Sequence, residues 1–188
     1  MKIIIKALLS LSLVFSLAQA KEFVVDTTHT NIGFSIKHMM ISNVKGNFNT
    51  YTTMVDFDAD KKVFTKLSAS IDASSVDTNM PKRDEHLRSA EFFDVAQFKT
   101  IDFVMDSMKD GKVYGKITIH GVTKDIVLNA TIHGVVKDPQ GKQRAGLTLE
   151  GKINRKDFGL TWSKVLEGGG LMVDDTVNLI VDMEIVGA

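Results

Sequence analysis

Apolar and polar residues alternate with a period of two along most of the chain after residue 20, and this pattern constrains the fold more than any other feature. Successive side chains of a β-strand point to opposite faces, so the alternation predicts strands that each have one apolar face. About nine runs are candidates. The clearest apolar positions are Ile32, Phe34, Ile36 and His38; Val63, Leu67, Ala69 and Ile71; Ile101, Phe103 and Met105; Val113, Ile117 and Ile119; Ile126, Leu128, Ala130 and Ile132; Ala145, Leu147 and Leu149; and Val177, Leu179, Val181, Met183 and Ile185.

Residues that tolerate tight backbone angles separate these runs. Turns are predicted at residues 58–60, 109–111, 120–121 and 138–141, which contain Asp, Gly or both, or a His-Gly pair. Links this short join antiparallel strands. No linker or internal repeat interrupts residues 21–188, so we expect one domain there.

Two segments break the period of two. Asn79 is expected to cap a helix over about residues 80–90, because Pro81 is tolerated in a first helical turn. A second short turn is expected at residues 155–158, before Gly159. The fold class is therefore all-β with one or two short helices. Alternation alone does not decide between a sandwich and a closed barrel. The interior of such a barrel would be filled either by side chains or by one small ligand.

The first twenty residues have the features of a signal peptide. Lys2 and Lys6 precede an apolar run at residues 7–17, and Ala18-Gln19-Ala20 follows it. The run is shorter than the roughly 20 residues that a membrane-spanning helix needs. We therefore expect export, a mature chain that begins at Lys21, and no stable membrane insertion after cleavage.

Charge and cysteine content exclude several classes of partner. Without residues 1–20 the chain loses two of its 23 basic residues and none of its 23 acidic ones, which leaves a net charge of about −2. Nucleic acids and anionic membranes attract clustered Lys and Arg, so neither is expected as a partner. The chain has no cysteine and can form no disulfide.

The histidines do not have the spacing of a metal site. The nearest pairs are nine and thirteen residues apart, and there is no HExxH motif. We expect no metal. His38 shares a strand face with Phe34 and Ile36, so its ring must either face a cavity or end the strand in solvent.

No catalytic motif is apparent. Asp84 and His86 could supply acid and base groups, but residues two apart on a helix do not face each other, which favours a solvated helical surface. The chain also lacks the GxSxG, GxGxxG and P-loop motifs. We expect neither an enzyme nor a cofactor.

Bulky apolar residues also stand outside the regular runs. They either cap the core or line the mouth of a pocket, and methionine suits a surface that adapts to a flexible ligand. These residues are Met39, Met40, Ile41, Leu87, Phe92, Phe93, Phe158, Leu160 and Trp162.

Four segments resemble the YceI-like family of lipocalin-like, polyisoprenoid-binding periplasmic proteins. They occur in the order of the family and extend over nearly all of residues 21–188. The segments are DTTHTNIGFSIKH at 26–38, RDEHLRSAEFFD at 83–94, TIHGVTK at 118–124, and NRKDFGLTW at 154–162. One departure is Lys99, which stands where the family usually has proline.

The resemblance implies an extended antiparallel eight-stranded barrel, periplasmic localisation, and binding of a long apolar lipid of polyisoprenoid or isoprenoid-quinone type without chemistry. The lipid would be carried or sequestered as a ligand. Its polar head could meet His38, or Arg83 and Asp84. The predicted lipid-binding residues are Phe34, Ile36, His38, Met39, Phe48, Leu87, Phe92, Phe93, Phe103, Met105, Phe158 and Trp162.

Two other functions stay open at this point. One is a structural or stress-related interaction module with a packed core, and the other is an enzyme that acts on a hydrophobic substrate with His38, or Asp84 and His86, as acid and base. Whether the chain forms a homodimer is also open.

Overall fold

A computed structural model of the chain describes residues 21–165 and 169–188. Most of these residues lie in strands, as the alternation predicts. The predicted signal peptide lies outside the described residues. The strands are β1 (Lys21–Val25), β2 (Asn31–His38), β3 (Ser42–Phe48), β4 (Tyr51–Asp58), β5 (Val63–Asp72), β6 (Val76–Asp77), β7 (Thr100–Lys109), β8 (Lys112–Ile119), β9 (Val122–Lys137), β10 (Gln143–Asn154) and β11 (Val173–Gly187).

Eight strands close into an antiparallel barrel, which decides between the barrel and the sandwich. Their order is β1-β4-β5-β7-β8-β9-β10-β11, and β11 pairs back onto β1. The C-terminal part of β11 pairs with β1, whereas residues 173–182 of β11 pair with β2. The strands β2, β3 and β6 therefore extend the wall at one end of the barrel.

The extended wall has a free edge. The short strand β6 pairs with β3 only at Asn47 and Phe48, and residues 42–46 of β3 pair with β2 alone. At this end lie α1 (Pro81–Arg88) and a 3₁₀ turn at Arg155–Phe158, whose position before Gly159 confirms the prediction for that segment. Among the described residues, no helix has the length and apolar character needed to cross a bilayer.

Aromatic side chains fill the opposite end of the barrel. Phe57 lies between Phe23 and Phe64, with ring centroids 5.6 Å and 5.3 Å away, and all three rings are buried. Burial of each such side chain contributes about 1.5–3 kcal/mol. Ile185 and Val113 are also fully buried in this region's core cluster. This end is therefore solid.

Three one-residue β-bulges, together with a longer irregularity between Val173 and Val177 of β11, change the register that strict alternation predicts. The additional residues are Thr65 in β5, Asp106 in β7 and His133 in β9, because their neighbours pair across the bulge. The bulge at Thr65 makes Phe64, and not Val63, the buried residue at the start of β5. A bulge bends its strand and increases the local twist, which helps a sheet to close.

The helix is shorter than predicted, and Asn79 does not cap it. Asn79 has a φ of +59°, and its N–H donates to Asp77 Oδ1 at 2.8 Å, so it belongs to the preceding turn. Met80 occupies the N-cap position without a side-chain hydrogen bond. At the other end, Ser89 is extended and donates its N–H to the carbonyl of His86, which ends the helix at Arg88.

Candidate functional site

The half of the barrel near α1 encloses an apolar cavity of about 320 Å³. Inward side chains of the barrel strands form its wall, and residues of β2, β3 and α1 form its open end. Most of its lining side chains are aliphatic or aromatic. The strand residues that form the deeper wall include Leu67, Ile71, Ile101, Phe103, Ile117, Ile126, Leu128 and Leu149.

Nine of the twelve predicted lipid-binding residues line this one cavity. They come from separate strands, the helix and the loops, and the closure of the barrel brings them together. These residues are Phe34, Ile36, His38, Phe48, Leu87, Phe92, Phe93, Phe103 and Trp162. Their contact with a lipid stays a prediction.

The other three do not line the cavity, and each has a structural reason. Met39 is at the exposed tip of the β2–β3 hairpin. Met105 precedes the bulge at Asp106, pairs with Gly115 and packs, partly buried, against the core cluster. Phe158 is 2% exposed and packs into the core cluster beside the 3₁₀ turn.

Of the three predicted head-group residues, His38 and Arg83 line the cavity and Asp84 does not. Asp84 is buried, and its Oδ1 accepts hydrogen bonds from the N–H of Thr78 at 2.9 Å and from the Thr78 hydroxyl at 2.5 Å. Asp84 therefore anchors the chain before α1 and does not line the cavity, and its contact with a head group stays a prediction.

Arg83 keeps part of its guanidinium free. Its Nε donates to the Thr78 hydroxyl at 2.7 Å and its Nη2 donates to the Thr78 carbonyl at 2.7 Å. These bonds orient the side chain. Within the described residues no carboxylate forms an ion pair with it, since the described salt bridges involve other cations.

Sequence reasoning missed His86 as a lining residue, because the charged helix was interpreted as a solvated surface. The His86 ring contacts Phe92 and Trp162 with centroid distances of 4.9 Å and 5.0 Å, and its Nε2 lies 2.5 Å from Glu91 Oε2. Phe92 and Trp162 are themselves 5.3 Å apart. These three rings form an aromatic cluster at the mouth. The spacing of Arg83, His86 and Leu87, three and four residues apart on one helix face, was the signal that could have found it.

Buried Arg155 holds the loop that carries Trp162. Its Nη1 donates to the carbonyls of Leu160 at 2.5 Å and Trp162 at 2.7 Å, and its Nε donates to the carbonyl of Asp174 at 2.8 Å. Burial lowers the pKa of Arg155, and the carboxylate of Asp175 at 3.2 Å opposes that change. Arg155 also lines the cavity.

The ionisable side chains that line the cavity are mostly basic. Lys37, Arg83 and Arg155 line the cavity together with His38 and His86, and no Asp or Glu does so in the described part of the chain. Tyr51 lines it as well, and its hydroxyl is buried without a hydrogen-bond partner among the described residues. Burial raises the pKa of Tyr51, and the charge of Asp26 raises it further.

A carboxylate cluster outside the cavity is organised by an arginine. Arg144 donates to Asp26 at 2.9 Å, to Asp138 at 3.0 Å and to Glu184 at 2.6 Å. Ligand atoms of Asp26, His29 and Glu184 all lie within 4.8 Å of one another. Because the guanidinium already pairs with both of these carboxylates, the arrangement is that of an ion-pair network.

The family model of the YceI-like domain matches residues 23–185 of this chain. The chain belongs to the YceI-like family. A UPF0312 protein of Staphylococcus aureus strain MSSA476 is 36% identical over 163 residues, which is 86% of this chain and 95% of that protein.

Two solved structures have the same fold. The YceI protein of Campylobacter jejuni is 40% identical, with a TM-score of 0.72 over 89% of this chain and 99% of that one. A polyisoprenoid binding domain from Saccharophagus degradans is 14% identical, with a TM-score of 0.66 over 89% of this chain and 99% of that domain. At that identity the similarity concerns the fold alone.

Proposed function

We propose that this YceI-like barrel binds one long apolar lipid, of polyisoprenoid or isoprenoid-quinone type, and carries it without chemical change. The observation that supports the proposal is the cavity. Protein interiors have few voids larger than a water molecule, and a cavity of about 320 Å³ is within the usual range of ligand sites.

The energetic cost of such a cavity favours an occupant. The apolar wall of the open cavity stays in contact with water when no ligand is bound, and it forgoes roughly 25 cal/mol for each Å² of apolar surface that a hydrocarbon ligand would cover. Water is a poor substitute, since the wall offers few hydrogen bonds.

A hydrocarbon chain suits this wall. Burial of one CH₂ group contributes roughly 0.8 kcal/mol, so a five-carbon isoprene unit contributes on the order of 3–4 kcal/mol before costs. Loss of rotor freedom and association entropy remove part of this contribution. Two or three units in the cavity would be enough for stable binding. The name of the Saccharophagus degradans domain, a polyisoprenoid binding domain, supports the same class of ligand.

The lining charges favour an acceptor-rich or anionic head at the open end. Arg83 has hydrogen-bonding capacity beyond its two bonds to Thr78, and His38, His86 and Lys37 line the same region. A phosphate ester would form charge-assisted hydrogen bonds there. We propose that a prenyl phosphate binds more tightly than the corresponding prenol.

The test is recovery and exchange of the lipid. The exported protein is purified from its host compartment, its bound lipid is extracted for mass spectrometry, and the delipidated protein is titrated with a long-chain prenol and with its phosphate ester. We expect an isoprenoid chain in the extract and preference for the phosphate. Arg83→Gln should remove the preference and leave prenol binding intact. A protein that yields no lipid and binds neither probe would contradict the proposal.

Export itself belongs to this proposal. We propose that the leader is removed before Lys21 and that the mature chain works in the periplasm. N-terminal sequencing of the protein from fractionated cells tests it, with Lys21 as the expected first residue. An uncleaved chain in the cytoplasm would contradict it.

Binding without catalysis is separated from a lipid-modifying enzyme by the fate of the ligand. The expected result is that the titrated prenyl phosphate is recovered unchanged after prolonged incubation. Conversion that disappears in a His38→Ala, His86→Ala double variant would favour the enzyme.

A further inference from the structure

The mouth of the cavity is bordered by a surface with several solvent-exposed apolar side chains. We call this surface the rim: residues 39–41 at the tip of the β2–β3 hairpin, together with Lys164, Val165, Leu171 and Met172. Ile41 is 84% exposed, Val165 is 77% exposed and Met40 is 54% exposed. Single exposed apolar residues are common, but a group of them at one edge marks an interaction surface.

Backbone hydrogen bonds join the rim into one surface. The N–H of Met39 donates to the carbonyl of Met172 at 2.9 Å, and the N–H of Met172 donates to the carbonyl of Lys164 at 2.9 Å. Val165 and Leu171 form a β-bridge. The rim is also continuous with the cavity, because Met172 of the rim lines the cavity, as do the nearby His38 and Trp162.

The hairpin tip has a backbone conformation that its residues do not favour. Met39 and Met40 have φ values of +49° and +64°, whereas the β7–β8 and β8–β9 turns reach positive φ with Asp110-Gly111 and His120-Gly121. A non-glycine residue in this region costs roughly 1–2 kcal/mol. Two consecutive methionines at a solvent-exposed tip are thus unfavourable for the isolated fold, and such strain persists where it serves a function.

The charges of the rim point to the kind of surface that it contacts. Residues 35–48 contain Lys37 and Lys45, residues 159–165 contain Lys164, and none of the described residues of these segments or of 169–173 is acidic. Glu167 lies outside the described residues. When it is counted, residues 35–48 and 159–173 together contain three lysines and one acidic residue. The composition of the whole chain argues against an anionic membrane, but these segments are basic. The next acids along the chain, Asp174 and Asp175, already have partners: Asp174 accepts backbone N–H groups, and Asp175 pairs with Arg155 and Lys156. Each Lys near an anionic lipid surface contributes to attraction there.

From this arrangement we propose that the rim docks on an anionic lipid bilayer, with Met40, Ile41 and Val165 in the interfacial layer and the three lysines at the lipid head groups. Docking aligns the mouth with the membrane, so that a water-insoluble lipid passes between bilayer and cavity without crossing water. This inference deepens the proposed carrier function and rests on it. The contact is peripheral and reversible, since few apolar side chains take part.

The experiment measures co-sedimentation of the mature protein with vesicles of phosphatidylglycerol and phosphatidylethanolamine, and with vesicles of phosphatidylcholine alone. We expect binding to the anionic vesicles that weakens with salt. Ile41→Asp should weaken it at least about tenfold, since loss of one inserted aliphatic side chain exceeds the free energy of a tenfold change. Val136→Asp is the matched control. Val136 is 62% exposed on β9, away from the rim, and this substitution should leave vesicle binding unchanged.

Three further readouts separate the alternatives. Thermal unfolding of Ile41→Asp should match that of the unchanged protein, because the side chain makes little contact with the fold. Delipidated Ile41→Asp titrated with the long-chain prenol should bind it as tightly as the unchanged protein does, so loss of docking is distinguishable from loss of the proposed cargo binding. Absence of vesicle binding, equal effects of Ile41→Asp and Val136→Asp, or a rim-dependent dimer in sedimentation equilibrium in place of vesicle binding would overturn the docking proposal.

Discussion

The Nη1 atom of Arg155 lies 2.7 Å from the carbonyl oxygen of Trp162, so a buried cation at the end of β10 positions an aromatic residue of the cavity mouth. The same guanidinium donates to the carbonyls of Leu160 and Asp174, which precede and follow Trp162 along the chain. One side chain therefore ties the loop after β10 to the start of β11. This is the structural role of the arginine in the NRKDFGLTW segment.

Arg155→Met should destabilise the fold and open the mouth. The substitution leaves several buried carbonyls without their donor, and loss of charged hydrogen bonds of this kind costs about 3 kcal/mol or more. Urea unfolding should show this decrease in the free energy of unfolding, and backbone hydrogen exchange should accelerate at residues 160–165 and 173–176. Lys156→Met is the control, because Lys156 is exposed and forms only a surface ion pair with Asp175. Equal stability of the two variants would refute the role assigned to Arg155.

The network around Arg144 predicts an acid dependence of stability. Hydrogen bonds from Thr28, His29 and Arg144 hold the pKa of Asp26 well below its usual range, and Arg144 also lowers the pKa of Asp138. Because the folded pKa is depressed, this stability is present above about pH 4, near the unfolded pKa. It is lost as the pH falls toward the folded pKa.

Arg144→Met should therefore lower stability at neutral pH and flatten its dependence on acid. Carboxyl NMR titration should find the pKa of Asp26 and Asp138 closer to ordinary values, although Thr28 and His29 still act on Asp26. Lys137→Met, at an exposed position of β9, should leave both titrations unchanged. Unaltered carboxyl titrations in Arg144→Met would refute the network.

Tyr51 should titrate only in strongly alkaline solution. Burial and the charge of Asp26 raise the pKa of Tyr51 above its ordinary value of 10. Its raised pKa means that the associated stability is complete below pH 10 and is lost as the pH rises toward the folded pKa. The chain has two tyrosines, so Tyr114→Phe isolates Tyr51 for an absorbance titration. A midpoint at or below pH 10 would show that the phenol is solvated.

The strands and most turns could be predicted because alternation and turn chemistry are local. The bulges could not, since Thr65, Asp106 and His133 carry no chemical mark of an unpaired residue. Asn79 was mistaken for a cap because the same residue type serves both helix starts and turns. Pairing with the neighbouring strands decides where each bulge lies, and the turn that begins at Asp77 decides the role of Asn79.

The alternation of apolar and polar residues also does not show whether the barrel is hollow. Ile71 and Ile185 occupy equivalent apolar positions in alternating strands, yet Ile71 lines the cavity and Ile185 is fully buried in the solid part of the core. The difference depends on which large side chains meet at each level of the barrel, above all the Phe23, Phe57 and Phe64 rings at the closed end. The resemblance to the YceI-like family supplied that expectation.

The most direct test fills the cavity. Ala69 on β5 lines it and pairs with Phe103, whereas the adjacent Ser68 points to the outer face opposite Val104. Ala69→Phe should reduce bound lipid at least about tenfold, because one displaced isoprene unit contributes several kcal/mol, while Ser68→Phe should bind as before. Lipid content is measured by native mass spectrometry of both variants after circular dichroism confirms that they fold. Equal lipid content in the two folded variants, or no lipid in the unchanged protein, would contradict binding inside the barrel.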